Sequence, residues 1–293
     1  MVSLLGEEMG KIQRIRIFEG ATAIVTGGAS GIGRALGEEL ARCGAEVVLA
    51  DRQIEVAQDV AEHIEASGGS AKAVNIDVTD FMAMNSLVKE TTRRTGRLDY
   101  IFNNAGIVIG GTAEHLSIDD WNKIIDVNLR GVVNGIQAAY AIMIEQGFGH
   151  IVNTASMAGI MPNPVNVPYA AAKHAVVGLS QSLRVEAAHM GIRISVICPG
   201  VIRTPILDGG EYGAINMKIP ADRLSEIWEE LRPMAPDIFA KKVLRAVANN
   251  KAIIIVPSWW KIIWWLNRLS PALGIAFAKN RFNKMRKEFD LYS

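Results

Sequence analysis

The chain has 293 residues, which is enough for one large α/β domain with short additions. Its 31 basic and 30 acidic side chains nearly balance, so no global charge indicates a nucleic-acid partner. No apolar run reaches the roughly 18 residues that a membrane-spanning helix needs. Residues 1–19 lack the apolar run of an export signal, and we therefore expect a cytoplasmic protein.

Two cysteines, Cys43 and Cys198, lie far apart and have no second thiol or clustered histidine beside them. This spacing is typical neither of a disulfide framework nor of a zinc site. We expect two buried structural thiols and no metal.

Short apolar runs alternate with helical patterns along most of the chain. The predicted strands are Ala21–Thr26, Val47–Ala50, Ala73–Ile76, Tyr100–Asn103, His150–Thr154 and Arg193–Cys198. The predicted helices are Ile32–Arg42, Ile54–Ser67, Phe81–Thr95, Ile118–Glu145 and Tyr169–Met190. This alternation predicts an α/β fold, with a doubly wound parallel sheet of Rossmann type in a single domain.

Ligands of such sheets bind beyond the carboxyl ends of the strands, where the first strand is followed by the sequence TGGASGIG. Gly27, Gly31 and Gly33 let the backbone turn tightly and approach a pyrophosphate at the N-terminus of the next helix, with Ser30 and Ile32 in the same turn. The spacing differs from the general dinucleotide fingerprint, and an isolated glycine cluster is often only a loop.

An acidic residue, Asp51, directly follows the second strand, 18 residues after Gly33. An acid at this position accepts hydrogen bonds from an adenosine ribose and repels a 2′-phosphate, which favours NAD over NADP. Arg52 and Arg34 leave some use of NADP open, whereas Ser30 places no basic side chain in the turn. The alternative, a solvated charge at a strand end, fits Arg52 better than Asp51.

Small and polar residues follow two further strands. Asp77 and Val78 would flank an adenine, and the small pair Ala105–Gly106, preceded by Asn104, would let the backbone pass close to a cofactor. Either segment could instead be simple turn chemistry.

A tyrosine and a lysine four residues apart, Tyr169 and Lys173, share one face of a predicted helix. An ammonium group beside a phenol, together with a cationic nicotinamide, would lower the pKa of the phenol and let it exchange a proton near neutral pH. Ser156 could hold a substrate oxygen, and Asn128, in the predicted long helix, could anchor a water that relays the proton. A lone Y-x-x-x-K pattern is weak, because its residues are common on helix surfaces.

Together the motifs are specific: TGGASGIG, NNAG, Asn128, Ser156, YAAAK and the pair Pro199–Gly200 with Thr204 resemble the short-chain dehydrogenase/reductase family in identity, order and spacing over about residues 18–256. The resemblance implies that Tyr169 is the general acid/base and that Lys173 lowers its pKa and holds the nicotinamide ribose.

The same resemblance implies a substrate-orienting hydroxyl at Ser156 and a water-holding Asn128. Pro199, Gly200, the backbone of Ile202 and the hydroxyl of Thr204 would lie against the nicotinamide. It also implies a homodimer or homotetramer, formed by pairing of the two long predicted helices.

The segment 203–236 would form a substrate lid. Its apolar side chains suggest a lipophilic substrate, although ordinary helix packing would need the same residues. They are Ile206, Leu207, Tyr212, Met217, Ile219 and Trp228.

Residues 257–293 extend beyond the expected catalytic domain (18–256), as residues 1–17 do at the other end. Four of the six tryptophans lie in this C-terminal arm, and the seven charged residues between Ser258 and Lys287 are all basic. Such a composition is typical of a peripheral membrane anchor, but an arm packed on a neighbouring subunit or over the active site would look similar.

The leading hypothesis is an oxidoreductase that transfers a hydride between NAD(H) and a secondary alcohol or ketone of a lipophilic molecule, such as a steroid, a retinoid-like compound or a long-chain alcohol. An NAD(P)H-dependent carbonyl reductase would use the same residues in reverse. A non-catalytic, nucleotide-sensing membrane scaffold is a third possibility, against which the intact Tyr169 and Lys173 argue.

Overall fold

A computed structural model describes residues 14–210, 212–216 and 221–289. Its strands are β1 Thr22–Thr26, β2 Glu46–Asp51, β3 Ser70–Asn75, β4 Tyr100–Asn103, β5 Val108–Gly110, β6 Gly149–Thr154, β7 Ile192–Pro199, β8 Gly213–Ile215 and β9 Ile253–Val256. Its helices are α1 Gly31–Arg42, α2 Ile54–Ala66, α3 Phe81–Thr95, α4 Ile118–Ile125, α5 Gly131–Gln146, α6 Val167–Ala187, α7 Ala221–Glu230, α8 Pro236–Ala248, α9 Trp260–Leu269 and α10 Pro271–Phe289.

Seven parallel strands form the central sheet in the order β3-β2-β1-β4-β6-β7-β9. Helices α1, α2 and α8 contribute to the apolar core on one face, and α3, α5 and α6 contribute to the core on the other. The strand order reverses between β1 and β4, which places the loops after these two strands side by side at the crevice where such sheets bind ligands. The predicted doubly wound parallel sheet is confirmed.

Most predicted elements match the structure to within one residue at each end, and three differ by more. Strand β3 is Ser70–Asn75, earlier than the predicted Ala73–Ile76, because it pairs in register with β2 from Glu46 onwards. The predicted helix Ile118–Glu145 is two helices separated by a π-helical turn, Asp126–Arg130. The predicted helix Tyr169–Met190 begins two residues earlier and ends in a 3₁₀ turn.

Residues 14–17, within the expected N-terminal extension, contact the start of the sheet. The backbone N–H of Arg16 donates to Asp99 Oδ1 at 2.9 Å, and the Tyr100 hydroxyl donates to the Arg16 carbonyl at 2.7 Å. Arg97 forms an ion pair with the fully buried Asp99. These bonds join residues 14–17 to the amino-terminal end of β4, at the opposite end of the strands from the candidate site.

Candidate active site

The glycine turn after β1 leads directly into the N-terminus of α1. Gly27 and Gly31 have φ angles of 68° and 53°, which glycine adopts without strain. A Cβ atom on Gly33 would lie 1.9 Å from the Gly27 carbonyl oxygen, so the turn closes only with glycine there. Ser30 precedes the helix in an extended conformation without a side-chain capping bond. The first N–H groups of α1 are therefore not capped by Ser30 and suit an anion such as a pyrophosphate.

Asp51, at the end of β2, lies against this turn. Its Oδ2 accepts from the Ala29 N–H at 3.0 Å, and its Oδ1 accepts from the Gln53 N–H at 3.0 Å. Arg34 pairs with Glu38 at 2.7 Å on the surface of α1. The carboxylate is thus held beside the glycine turn. Arg34, one of the two basic residues that could favour NADP, is paired with Glu38 instead.

A threonine that the sequence analysis did not single out, Thr26, joins the glycine turn after β1 to the loop after β4. Its Oγ1 accepts from the N–H groups of Asn104 and Ala105 at 2.9 and 3.1 Å and donates to the Phe102 carbonyl at 3.3 Å. The Asn104 side chain donates to the Thr26 carbonyl at 3.1 Å. The only sequence signal was its place at the end of a strand, directly before Gly27.

We expect Thr26→Val to destabilise the protein by about 1–3 kcal/mol, because it leaves two N–H groups without their acceptor. Chemical denaturation measures the loss, and dinucleotide affinity should fall with it as the two loops separate. Thr26→Ser keeps the hydroxyl and should recover most of both quantities. Equal stability of the valine and serine variants would show that these bonds do not hold the loops together.

The segment expected to flank an adenine follows β3. Asp77 Oδ1 accepts from the Thr79 N–H at 2.9 Å, which forms a tight turn. The Asn134 side chain donates to the carbonyls of Val78 and Thr79 at 2.9 and 3.1 Å, and a Cβ on Gly131 would meet Val78 at 2.7 Å. Asn134 and Gly131, on α5, therefore fix the position of Val78. Sequence reasoning had recognised Val78 but neither of these two residues.

Ser156, Tyr169 and Lys173 come together beyond the carboxyl end of β6. The Ser156 side chain lies beside the Tyr169 hydroxyl, where its hydrogen bonding favours the phenolate. The Lys173 ammonium donates to the Thr154 carbonyl at 2.9 Å and lies 5.5 Å from the centre of the Tyr169 ring. The predicted cluster is thus assembled by one helix, α6, packed against one strand end.

The electrostatics of this cluster differ from the expectation. Burial raises the pKa of the Tyr169 hydroxyl, and the bond to Ser156 opposes that shift only in part. Burial also lowers the pKa of Lys173 to about 8. The protein groups alone therefore do not lower the pKa of Tyr169, because desolvation outweighs the hydrogen bonding of Ser156.

Asn128 is fully buried in the π-helical turn rather than within a regular helix. Its side chain accepts from the Ile107 N–H at 3.0 Å and donates to the Ile107 carbonyl at 2.8 Å. A Cβ on Gly106 would lie 2.7 Å from Asn128 Oδ1 and 3.4 Å from Lys173 Nζ. Gly106 thus lets both side chains approach the backbone, and the two bonds to Ile107 use one donor and one acceptor site of the Asn128 amide.

The loop after β7 contains the predicted nicotinamide-side residues. Thr204 lies over the glycine turn, since a Cβ on Gly31 would be 3.1 Å from its Cβ. Ile202 is buried, and its backbone pairs with that of Met234 in an isolated β-bridge. Buried Pro199 ends β7, and the next residue, Gly200, packs so closely on Trp260 that an added Cβ would lie 2.2 Å from the indole nitrogen.

The expected lid begins with a 3₁₀ turn, Pro205–Leu207, and continues through β8 and α7. Strand β8 pairs with β5, which ties the lid to the loop after β4. Of its apolar residues, Ile206, Leu207, Tyr212 and Trp228 are half-buried, and Met217 and Ile219 lie outside the described residues.

Both cysteines are free thiols. Cys198 is buried as expected, and burial raises its pKa to about 12, so the thiol is neutral beside Lys173. Cys43 is only half-buried. Among residues 14–210, 212–216 and 221–289, no cluster of three His, Cys, Asp or Glu side chains could hold a metal ion.

The sheet order and the site define a dinucleotide-binding α/β protein with a Ser-Tyr-Lys cluster. Residues 21–210 match the model of the short chain dehydrogenase family. The chain therefore belongs to this family of oxidoreductases.

Two relatives and one solved structure illustrate the similarity. The 2,5-dichloro-2,5-cyclohexadiene-1,4-diol dehydrogenase of Sphingobium indicum is 38% identical over 64% of this chain and 75% of its own. The cyclohexanol dehydrogenase of Acinetobacter sp. is 37% identical over 71% of this chain and 84% of its own. A short chain dehydrogenase/reductase from Burkholderia phymatum, solved in complex with NAD, is 28% identical with a TM-score of 0.77, covering 88% of this chain and 96% of its own.

In the part of the chain that the structure describes, none of the helices has both the length and the apolar character to cross a membrane.

Proposed function

We propose that this enzyme oxidises a secondary hydroxyl group of a lipophilic molecule, with NAD as the hydride acceptor. The observation that carries the proposal is the Ser156–Tyr169–Lys173 cluster, which faces the same crevice as the glycine turn. The similarity to dehydrogenases of cyclic alcohols supports a hydroxyl group as the reacting centre.

Different residues of the chain would bind the different parts of NAD. The N–H groups at the start of α1 would bind the pyrophosphate, Asp51 the adenosine ribose, and Val78 the adenine. Lys173 would hold the nicotinamide ribose, and the loop after Gly200 would hold the nicotinamide. The bound ring supplies the site that accepts the hydride.

Proton transfer falls to the protein. Ser156 would donate a hydrogen bond to the substrate oxygen and so direct it towards the Tyr169 hydroxyl. In its phenolate form Tyr169 would accept the proton of the substrate hydroxyl as the C–H bond breaks. The ammonium of Lys173 and the positive charge of the cofactor would favour that phenolate, which burial alone disfavours.

A lipophilic substrate is supported by the surroundings of the site. The lid carries half-buried apolar side chains, and Pro162, Pro164 and Val167, between Ser156 and Tyr169 in the sequence, line a groove of about 490 Å³ against Ile275 and Phe282 of α10. Nearly all of that lining is apolar, as in sites that bind apolar ligands. A position at a membrane would also suit such a substrate, because it dissolves in lipid.

The test is NADH formation by the purified enzyme across a panel of cyclic, steroidal and long-chain secondary alcohols. Turnover that rises with the size of the apolar group would support the proposal. Preference for small polar alcohols would contradict the lipophilic substrate. Faster reduction of the matching ketones with NADPH would favour the second candidate, an NAD(P)H-dependent carbonyl reductase.

We expect Asp51→Arg to shift the preference from NAD towards NADP by about tenfold or more in kcat/KM. The change removes a charged acceptor for the ribose, worth about 1.5–3 kcal/mol, and adds a partner for a 2′-phosphate. Kinetics with both dinucleotides measure the ratio. Glu55→Arg makes the same charge change on the exposed start of α2 and should leave the ratio unchanged. An unchanged ratio in the Asp51 variant would remove its assigned role.

We also propose a cytoplasmic homodimer or homotetramer. Helices α5 and α6 expose Val133, Ile144 and Val185, which pairing with a second copy would bury. Free thiols are typical of proteins in reducing compartments. Light scattering of the purified protein measures the subunit number.

A further inference from the structure

Helix α9 carries an apolar stripe on its outer surface. Ile262, Trp265, Leu266 and Leu269 follow the i, i+3, i+4, i+7 spacing of one helix face, and each is more than half exposed. In a globular protein this spacing normally marks the face that packs on the core. Here the stripe points away from it.

The opposite face of α9 is fixed to the domain. Trp260 is buried against Gly200, while Ile263 and Trp264 pack on the core beneath the sheet. The Asn267 side chain donates to the Ile160 carbonyl at 3.0 Å. Because these contacts already use the inner face, the helix cannot rotate to bury its outer stripe without losing them.

Helix α10 continues the exposed apolar surface and adds charge. Leu273, Ile275 and Phe277 are each more than half exposed in its first turns. The basic residues of its later turns are also exposed, namely Lys279, Arg281, Lys284, Arg286 and Lys287. With Lys261 and Arg268 of α9, they make seven basic residues and no acidic one between residues 258 and 287, whereas the rest of the chain carries 24 basic and 30 acidic side chains.

We propose that this surface of α9 and α10, the arm surface, docks on the anionic face of a lipid bilayer. Exposed tryptophan, leucine and phenylalanine would enter the boundary of headgroups and acyl chains, and the basic residues would bind the acidic headgroups. A symmetric pairing of two arm surfaces would instead bring seven basic residues against seven more, which favours an anionic partner over a second copy.

Docking of this kind goes beyond the proposed reaction, because it needs neither cofactor nor turnover. It would still orient the enzyme. Asn267 holds the loop that follows Ser156, and Trp260 holds the loop expected to contact the nicotinamide. The bilayer would therefore lie beside the substrate side of the molecule.

Co-sedimentation of the full chain with vesicles tests the proposal. We expect binding to vesicles of phosphatidylcholine mixed with phosphatidylglycerol, weak binding to phosphatidylcholine alone, and release by salt. Absence of binding to the anionic vesicles at low salt would overturn the proposal. NADH formation plays no part in this measurement, so failure of the proposed reaction would leave the result intact.

Two sets of variants separate apolar insertion from charge. Leu266→Gln should lower the partition coefficient about tenfold or more, whereas Met82→Gln, which changes an even more exposed apolar residue on α3, should not. Lys261→Gln with Arg268→Gln should lower binding to anionic vesicles about thirtyfold, at about 1 kcal/mol for each charge. The matched pair Lys89→Gln with Arg93→Gln on α3 should have little effect.

Equal binding of the Leu266 and Met82 variants would show that the arm surface does not insert. A second measurement, the mass in solution, distinguishes the other occupant. If Leu266→Gln dissociates an oligomer and the native protein does not bind vesicles, a second copy covers the arm surface and the proposal is wrong.

Discussion

Replacing Tyr169 with phenylalanine should lower kcat by about a hundred- to ten-thousandfold, the usual contribution of general acid–base catalysis. The substitution removes one oxygen and leaves the ring beside Lys173, so dinucleotide affinity should change little. Steady-state oxidation of the best substrate of the alcohol panel, together with NADH titration by fluorescence, measures both quantities.

A matched control comes from another tyrosine whose hydroxyl is buried. Tyr140 on α5 has a buried hydroxyl outside the site with no hydrogen-bond partner, so Tyr140→Phe should leave kcat unchanged. Ser156→Ala should weaken turnover by a smaller factor, because it removes the partner that directs the substrate and not the group that takes the proton. Retention of most activity in Tyr169→Phe would assign the proton transfer to another residue.

The parts of the site that could be predicted are those that follow strands. The parallel sheet brings the carboxyl ends of β1, β2, β4 and β6 to one edge, so residues directly after them must lie near one another. Gly27, Asp51, Gly106 and Ser156 were recognised for this reason. Tyr169 and Lys173 followed from the helix repeat, which puts residues four apart on one face.

Residues whose role depends on partners distant in sequence were missed. Thr26 reads as the last residue of a strand until its hydroxyl meets Asn104 and Ala105. The π-helical turn contains Asn128, whose side chain is hydrogen-bonded to both backbone groups of Ile107, and no local sequence pattern predicts this turn. The contact of Trp260 with Gly200 joins the C-terminal arm to the site across 60 residues of sequence.

The pKa of Lys173 predicts how dinucleotide affinity depends on pH. Burial lowers that pKa to about 8, while the proposed bond to the ribose would favour the ammonium form. Below pH 8 the proton is present before and after binding, so affinity should be constant. Above it the free enzyme loses the proton and binding must take it up again, so affinity should fall by up to about tenfold for each pH unit.

Lys173→Met should remove this dependence together with the ammonium group. We expect affinity about ten- to a hundredfold lower than in the native enzyme at neutral pH, since a hydrogen bond to a charged group contributes about 1.5–3 kcal/mol, and a flat profile from neutral to alkaline pH. NADH titration across this range measures both, with Lys89→Met on α3 as the surface control. A profile in the methionine variant that still falls above pH 8 would show that another group binds the proton, whereas a flat profile at native affinity would show that Lys173 does not hold the dinucleotide.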